Sequence, residues 1–133
     1  MQYKLYLYGV SLITTATITE FFKKLPDILT LLLILMLTDI ITGLLQALKR
    51  KNISTKKIYN GGIKKITILI IITLSYFIDL YLITDPITYI FNSTILYYIM
   101  LELISITKNC NRMGVKLPKA INDLIKNMNE KEG

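Results

Sequence analysis

Three long apolar runs, each broken by a single acid, constrain this chain more than any other feature. They are Ile28–Leu48, Ile66–Ile83 and Ile87–Ile106, and each holds 18 to 21 residues. A helix rising about 1.5 Å per residue needs about 20 residues to cross a hydrocarbon core of roughly 30 Å. The first run carries Asp39 as its one charge, the second Asp79 and the third Glu102. A helix in a soluble core shows a polar stripe every three or four residues, and these runs show none. The second and third are rich in Ile, Thr and Tyr, which also favour strands. A membrane barrel, however, needs alternating segments of about ten residues, and Ile66–Ile72 is almost unbroken apolar sequence. The expectation is an all-α, multi-pass membrane protein with transmembrane helices over 28–48, 66–83 and 87–106.

At 133 residues the chain allows one domain, 1–133. Its mean hydropathy of +0.49 is high for a soluble domain of this size, and its 53% hydrophobic content excludes disorder. It has no His and one Cys, Cys110. Cys/His zinc sites, Cys/His nucleophile pairs, histidine bases and a disulfide framework are thereby excluded. No catalytic, metal-binding or cofactor-binding residue is expected, and the protein reads as a non-enzyme without a small-molecule substrate.

Loop charge sets orientation, because short basic loops stay in the cytoplasm. Between the first two runs, residues 49–65 carry seven basic residues and no acid: Lys49, Arg50, Lys51, Lys56, Lys57, Lys64 and Lys65. Between the second and third lies Thr84-Asp85-Pro86, with one acid and no base. The tail, 107–133, has six basic residues and three acids. The three assignments agree: the first span runs inward, the second returns, and the third brings the C-terminus into the cytoplasm. Topogenesis alone explains the basic loop, which could also hold anionic inner-leaflet lipid. No folded module accompanies the charge, so nucleic-acid binding is not expected. Gly61-Gly62 lacks the phosphate-loop pattern and reads as the entry to the second span.

The N-terminal segment 5–22 is apolar enough to meet a membrane. Glu20, Gly9 and five hydroxyls (Ser11, Thr14, Thr15, Thr17, Thr19) weaken it as a span. No small-residue cleavage site follows, so it does not read as a signal peptide. Spanning would put Lys23 and Lys24 outside, against the charge rule. An interfacial helix is therefore preferred over a fourth, weaker span. In the tail, Leu117, Ala120, Ile121, Leu124, Ile125 and Met128 share one helical face, with Lys119, Asn122, Asp123, Lys126 and Asn127 opposite. This predicts a short amphipathic helix, with Pro118 in its first turn and a break at Gly114. It reads as packing on the membrane surface or the loop, with partner binding as the alternative.

The acids inside the spans are the candidates for function. A carboxylate at mid-bilayer costs about 2.5–3.5 kcal/mol on insertion scales, and a pure anchor has no use for three. Asp39 and Glu102 fall in the middle or inner part of their spans, within about 6 Å of one another in depth. Asp79 lies near the outer end of its own. None has a basic residue within its span. Such groups must bond to neighbouring helices, stay protonated or face water. Asp39, Thr42 and Gly43 share a face at i, i+3 and i+4, and Glu102 shares one with Ser105. Polar groups beside a small residue suit a close helix contact in lipid. Either these residues only hold a monomeric bundle together, or they mediate oligomerisation or line an aqueous lesion.

Taken in order, these features resemble the small phage-lysis and toxin-secretion holins. The resemblance covers roughly residues 28 to 120. It rests on Thr38-Asp39-Ile40-Ile41-Thr42-Gly43, then the basic loop with Ser54 and Lys56, then Gly62-Ile63-Lys64-Lys65. Asp79 follows, then Glu102-Leu103-Ile104-Ser105-Ile106 with Asn109 shortly after, and Gly114-Val115-Lys116-Leu117-Pro118. Lys108 departs from the family, which often has an acid before the Asn. The resemblance implies a non-enzymatic protein of the bacterial cytoplasmic membrane that forms homo-oligomers and opens lesions. Through these an endolysin is released or a toxin exported, without stable binding of the cargo. The rival readings are a small accessory subunit whose acids pair with a larger partner, and a narrow channel or transport component. Three spans without repeat symmetry argue against an autonomous transporter.

Overall fold

The computed structural model describes residues 1–82 and 89–132, and their side chains apart from those of residues 21, 22, 24, 128, 129, 131 and 132. Five α-helices make up the described chain: α1 (Gln2–Lys24), α2 (Asp27–Lys49), α3 (Thr55–Leu82), α4 (Tyr89–Arg112) and α5 (Lys119–Glu132). No strand occurs among the described residues. Three of the helices, α2, α3 and α4, are long and apolar enough to cross a membrane. The turn expected at Thr84-Asp85-Pro86, the span ends at 83 and 87–88, and the side chain of Met128 lie outside what is described.

Local chemistry sets the helix boundaries. Pro26 separates α1 from α2, and its carbonyl accepts the N–H groups of Leu29 and Thr30, each at 3.0 Å. α2 ends in a Schellman motif. Asn52 N–H donates to the Ala47 carbonyl and Lys51 N–H to that of Leu48. Lys51 closes it in the left-handed region at φ 53°, where glycine is usual. α4 ends in the same way, with Val115 N–H on the Cys110 carbonyl and Gly114 N–H on that of Asn111. Here Gly114, at φ 81°, supplies the freedom the motif requires.

α3 starts eleven residues before the expected span. The Ser54 hydroxyl accepts the Lys57 N–H at 3.4 Å and the Ser54 carbonyl accepts that of Ile58 at 3.1 Å. Ser54 is thus an N-cap, the connection from α2 shrinks to residues 50–54, and Lys56, Lys57, Lys64 and Lys65 lie on a helix instead of in a loop.

α2 and α3 both pack on α4, and α5 folds back against it. Leu32 and Met36 of α2, Ile68 and Ile72 of α3, and Phe91, Ile95 and Ile99 of α4 form the apolar core. Tyr76 meets Phe91 edge to face, ring centres 5.6 Å apart, which ties α3 to α4 near the start of the latter. In lipid, apolar surface alone drives little association, so close packing and polar contacts must hold the helices. Hydroxyls inside the spans are satisfied within their own helix: Thr38, Thr67, Thr73, Thr94 and Thr107 each donate to the carbonyl four residues back. Every described side chain of α1 is exposed, and Gly9 is partly covered. Its Thr14, Thr15, Thr17 and Thr19 also donate back to their own helix. Ile125 of α5 is buried, while Ile121 and Leu124 stay exposed.

Candidate functional site

A polar cluster lies below the apolar core, built from α2, α3 and α4. Its centre is Lys65. The Nζ stands 2.9 Å from Asp39 Oδ2 and 2.6 Å from Glu102 Oε2. All three side chains are largely buried, with 14% of Lys65, 16% of Asp39 and 7% of Glu102 exposed. One ammonium therefore ties three helices together. Asn109 of α4 completes the cluster: its Nδ2 donates to Asp39 Oδ1 at 3.1 Å and to Thr42 Oγ1 at 3.1 Å. Thr42 donates in turn to the Thr38 carbonyl at 2.9 Å. Gly43 faces the same amide, and a Cβ placed there would lie 3.6 Å from Asn109 Nδ2. The small residue thus lets α4 come close to α2. Among the described residues no buried side-chain polar atom lacks a partner.

Helical spacing puts these groups together. Lys65, Ile68, Ile72, Ser75 and Asp79 fall on one stripe of α3, and all but the half-buried Lys65 are buried. Leu32, Met36, Asp39 and Gly43 form the matching stripe of α2. The levels also agree. Asp39 is ten residues from Lys49, Lys65 ten from Thr55, and Glu102 ten from Arg112. Each charge sits about 15 Å from the same end of the bundle. Counted at formal charges, two carboxylates against one ammonium leave the cluster one unit negative. Removing charges from water is expensive, and only good geometry with further hydrogen bonds offsets that cost. Asn109 supplies such bonds to Asp39.

The other sequence candidates fall elsewhere. Asp79 is buried at the opposite end, where Oδ1 accepts the Ile90 N–H at 3.1 Å and Oδ2 the Phe91 N–H at 2.7 Å. It caps α4 from the neighbouring helix, satisfying donors that a helix start leaves open. Ser105 is half-buried and takes no part in the cluster's bonds. Of the basic residues, Lys49 donates through Nζ to the Met113 carbonyl at the end of α4, where a cation complements the helix dipole. Arg50, Lys51, Lys56, Lys57 and Lys64 are exposed.

Comparison with known proteins gives the family of the chain. Residues 16–130 match the model of the bacteriophage holin family. The chain belongs to that family. This holin-family chain is 33% identical over 96 residues to a protein named probable holin from Bacillus phage phi105, covering 71% of this chain and 69% of that one. It is 35% identical over 106 residues to the uncharacterised protein YqxH of Bacillus subtilis, covering 78% and 74%. It is 33% identical over 102 residues to an uncharacterised 14.9 kDa protein in the nagH 3' region of Clostridium perfringens, covering 76% of each. No solved structure matches it. The family match extends beyond the stretch on which the sequence resemblance rested, back into the end of α1 and on through most of α5.

Two members of the cluster escape composition and hydropathy. Lys65 looks like the last residue of a basic loop, and its signal is the stripe it extends one turn below Ile68. Asn109 lies beyond the apolar run of its helix; the family resemblance and its place seven residues after Glu102, on the same face, mark it.

Proposed function

We propose that this multi-pass membrane protein is a lytic holin. It self-associates in the bacterial cytoplasmic membrane and opens lesions through which an endolysin, or in another setting a toxin, leaves the cell. The observation that carries the reading is the Lys65 bridge between Asp39 and Glu102. Charged groups that are costly in lipid become cheap once they line water. A protomer that holds two carboxylates and one ammonium against each other is closed while the bridge is made and has hydrated surface to offer when it opens.

The loop charges support a topology with residues 50–57 and the tail in the cytoplasm and the α3–α4 connection outside. In this reading α1 lies along the interface. Its exposed surface is apolar through Val10 and Leu12, and its Glu20 pairs with Lys23 at 3.0 Å.

Controlled expression in a bacterium tests the proposal. A holin depolarises and kills the cell abruptly after a delay and needs no partner; with a co-expressed endolysin the culture then clears. An accessory subunit would be inert when expressed alone, and that result would remove the holin reading.

A further inference from the structure

The apolar bands of α2 and α3 are out of step. Because Asp39, Lys65 and Glu102 meet, they fix the three helices at a common level. The five residues 50–54 hold the lower ends of α2 and α3 together, and Lys49 bonds to the end of α4. On α2 the apolar run 28–48 is centred on position 38, one residue above Asp39. On α3 the apolar residues 66–82 are centred on position 74, nine residues above Lys65. At about 1.5 Å per residue, the two centres are offset by roughly 12 Å along the bundle.

Below the charged cluster the bundle is consequently two-sided. α2 exposes Ile40, Ile41, Leu44, Leu45 and Leu48. At the same level α3 exposes one polar face, Lys56, Lys57, Asn60, Gly61 and Lys64, and beside it the apolar Ile58, Tyr59 and Ile63. No flat bilayer satisfies both faces. If lipid reaches down to Leu48, it also covers the lysine-bearing face of α3. If water reaches up to Lys65, it also wets five large side chains of α2. Tilt absorbs small mismatches, but the Lys65 bridge and the short connection hold these helices in register.

We infer that the polar face of the lower part of α3, which carries Lys56, Lys57, Asn60, Gly61 and Lys64, forms the water-facing wall of the lesion's cytoplasmic half, with the lower part of α2 as its lipid-facing back. The inference rests on the holin reading and adds to it the surface that lines the opening. A protomer at the rim of an aqueous lesion has lipid on one side and water on the other at the same depth. That boundary satisfies both faces at once. The partners of this surface are water on α3 and acyl chains on α2, and copies of the chain set side by side continue the wall. The wall carries Lys56, Lys57 and Lys64 without a balancing acid between Thr55 and Lys64, so the inner mouth of the lesion is cationic.

Thiol labelling of the full chain in membranes tests this. In a Cys110→Ser background, single cysteines are placed on α3 (Asn60→Cys, Lys64→Cys) and on α2 (Ile41→Cys, Leu45→Cys). A membrane-impermeant maleimide is applied to inside-out vesicles, and then to the outside of intact cells before and after depolarisation. On vesicles, the α3 positions should react at least tenfold faster than the α2 positions. From outside, the α3 positions should become reactive only after depolarisation, and the α2 positions should remain slow. Equal rates at all four positions on vesicles would overturn the inference, because both faces would then meet the same medium. So would depolarised cells in which outside reagent never reaches Asn60→Cys or Lys64→Cys. Cells that never depolarise would sink the holin reading itself, and the proposed wall with it; the vesicle rates separate that failure from an error in the level argument.

Discussion

Lys65 and Asp39 stand 26 positions apart in the chain, on different helices, with Nζ and Oδ2 2.9 Å apart. The same ammonium reaches Glu102 on a third helix at 2.6 Å. The two acids are therefore engaged within one protomer. Any use of them between protomers requires this bridge to be given up or extended.

Removing the lysine tests how much the bridge holds. Lys65→Met leaves two largely buried carboxylates facing each other without a cation. Breaking a buried ion pair from one side costs about 3–5 kcal/mol, so the purified variant in detergent should unfold at markedly lower denaturant or temperature. The triple change Lys65→Met, Asp39→Asn, Glu102→Gln removes the stranded charges and should recover most of that loss. A single variant as stable as the parent would mean that the bridge contributes nothing.

Gly43 separates a contact inside the protomer from one between protomers. A Cβ there meets Asn109 Nδ2 at an ordinary 3.6 Å, so Gly43→Ala should fold normally and gain up to about 1 kcal/mol from helix propensity. Gly43→Leu should push α4 away and break the bonds of Asn109 to Asp39 and Thr42, at about 1 kcal/mol each. The expected sign is a destabilised protomer and not merely weaker crosslinked oligomers. Normal stability with lost oligomers would instead place Gly43 on a surface between copies.

The two Schellman motifs make a paired experiment. Lys51 occupies the left-handed position at φ 53° and Gly114 occupies it at φ 81°. A side chain in that region costs about 1–2 kcal/mol. Lys51→Gly should therefore stabilise the chain and Gly114→Ala should destabilise it, by similar amounts in a denaturation series. The Lys51 change also removes one positive charge, so Lys51→Asn is a useful companion, since Asn tolerates this conformation.

Orientation is checked with fusions. A reporter active only in the cytoplasm should work after Lys57 and after Gly133 and be silent after Asp85. Activity after Asp85 would reverse the assignment drawn from loop charge.

What the sequence made legible follows from what each residue can hide. The three membrane-crossing helices were readable because a run of about twenty residues with one charge has few other uses. The first turns of α3 were not, because Lys56, Lys57, Asn60, Gly61 and Gly62 all suit a loop; Ser54, the cap that starts the helix, is one hydroxyl in a polar stretch. Asp39, Thr42 and Gly43 were readable as a contact face, since i, i+3, i+4 spacing is local. Their partner was not: Asn109 is 70 positions from Asp39, and nothing local links them. Asp79 looked like a buried acid of the same kind as Asp39, and only the fold reveals that it caps α4.

The last prediction concerns the net charge of the cluster. With all three groups ionised, two acids and one lysine carry one excess negative charge, which packed protein tolerates poorly and water tolerates well. A state in which the cluster is hydrated is favoured by that excess. Glu102→Gln or Asp39→Asn brings the cluster to neutrality, keeps one acid paired with Lys65, and leaves an amide that can still bond. Both variants should insert and assemble as the parent does, and both should trigger late or never. Glu102 is the more buried and makes the shorter contact, so Glu102→Gln should delay lysis more than Asp39→Asn, whose remaining carbonyl can still accept from Asn109. Insertion, oligomer size and time of lysis are measured side by side. If both amides lyse on the parental schedule, ionisation of these groups plays no part in triggering, and the cluster serves only to hold α2, α3 and α4 together.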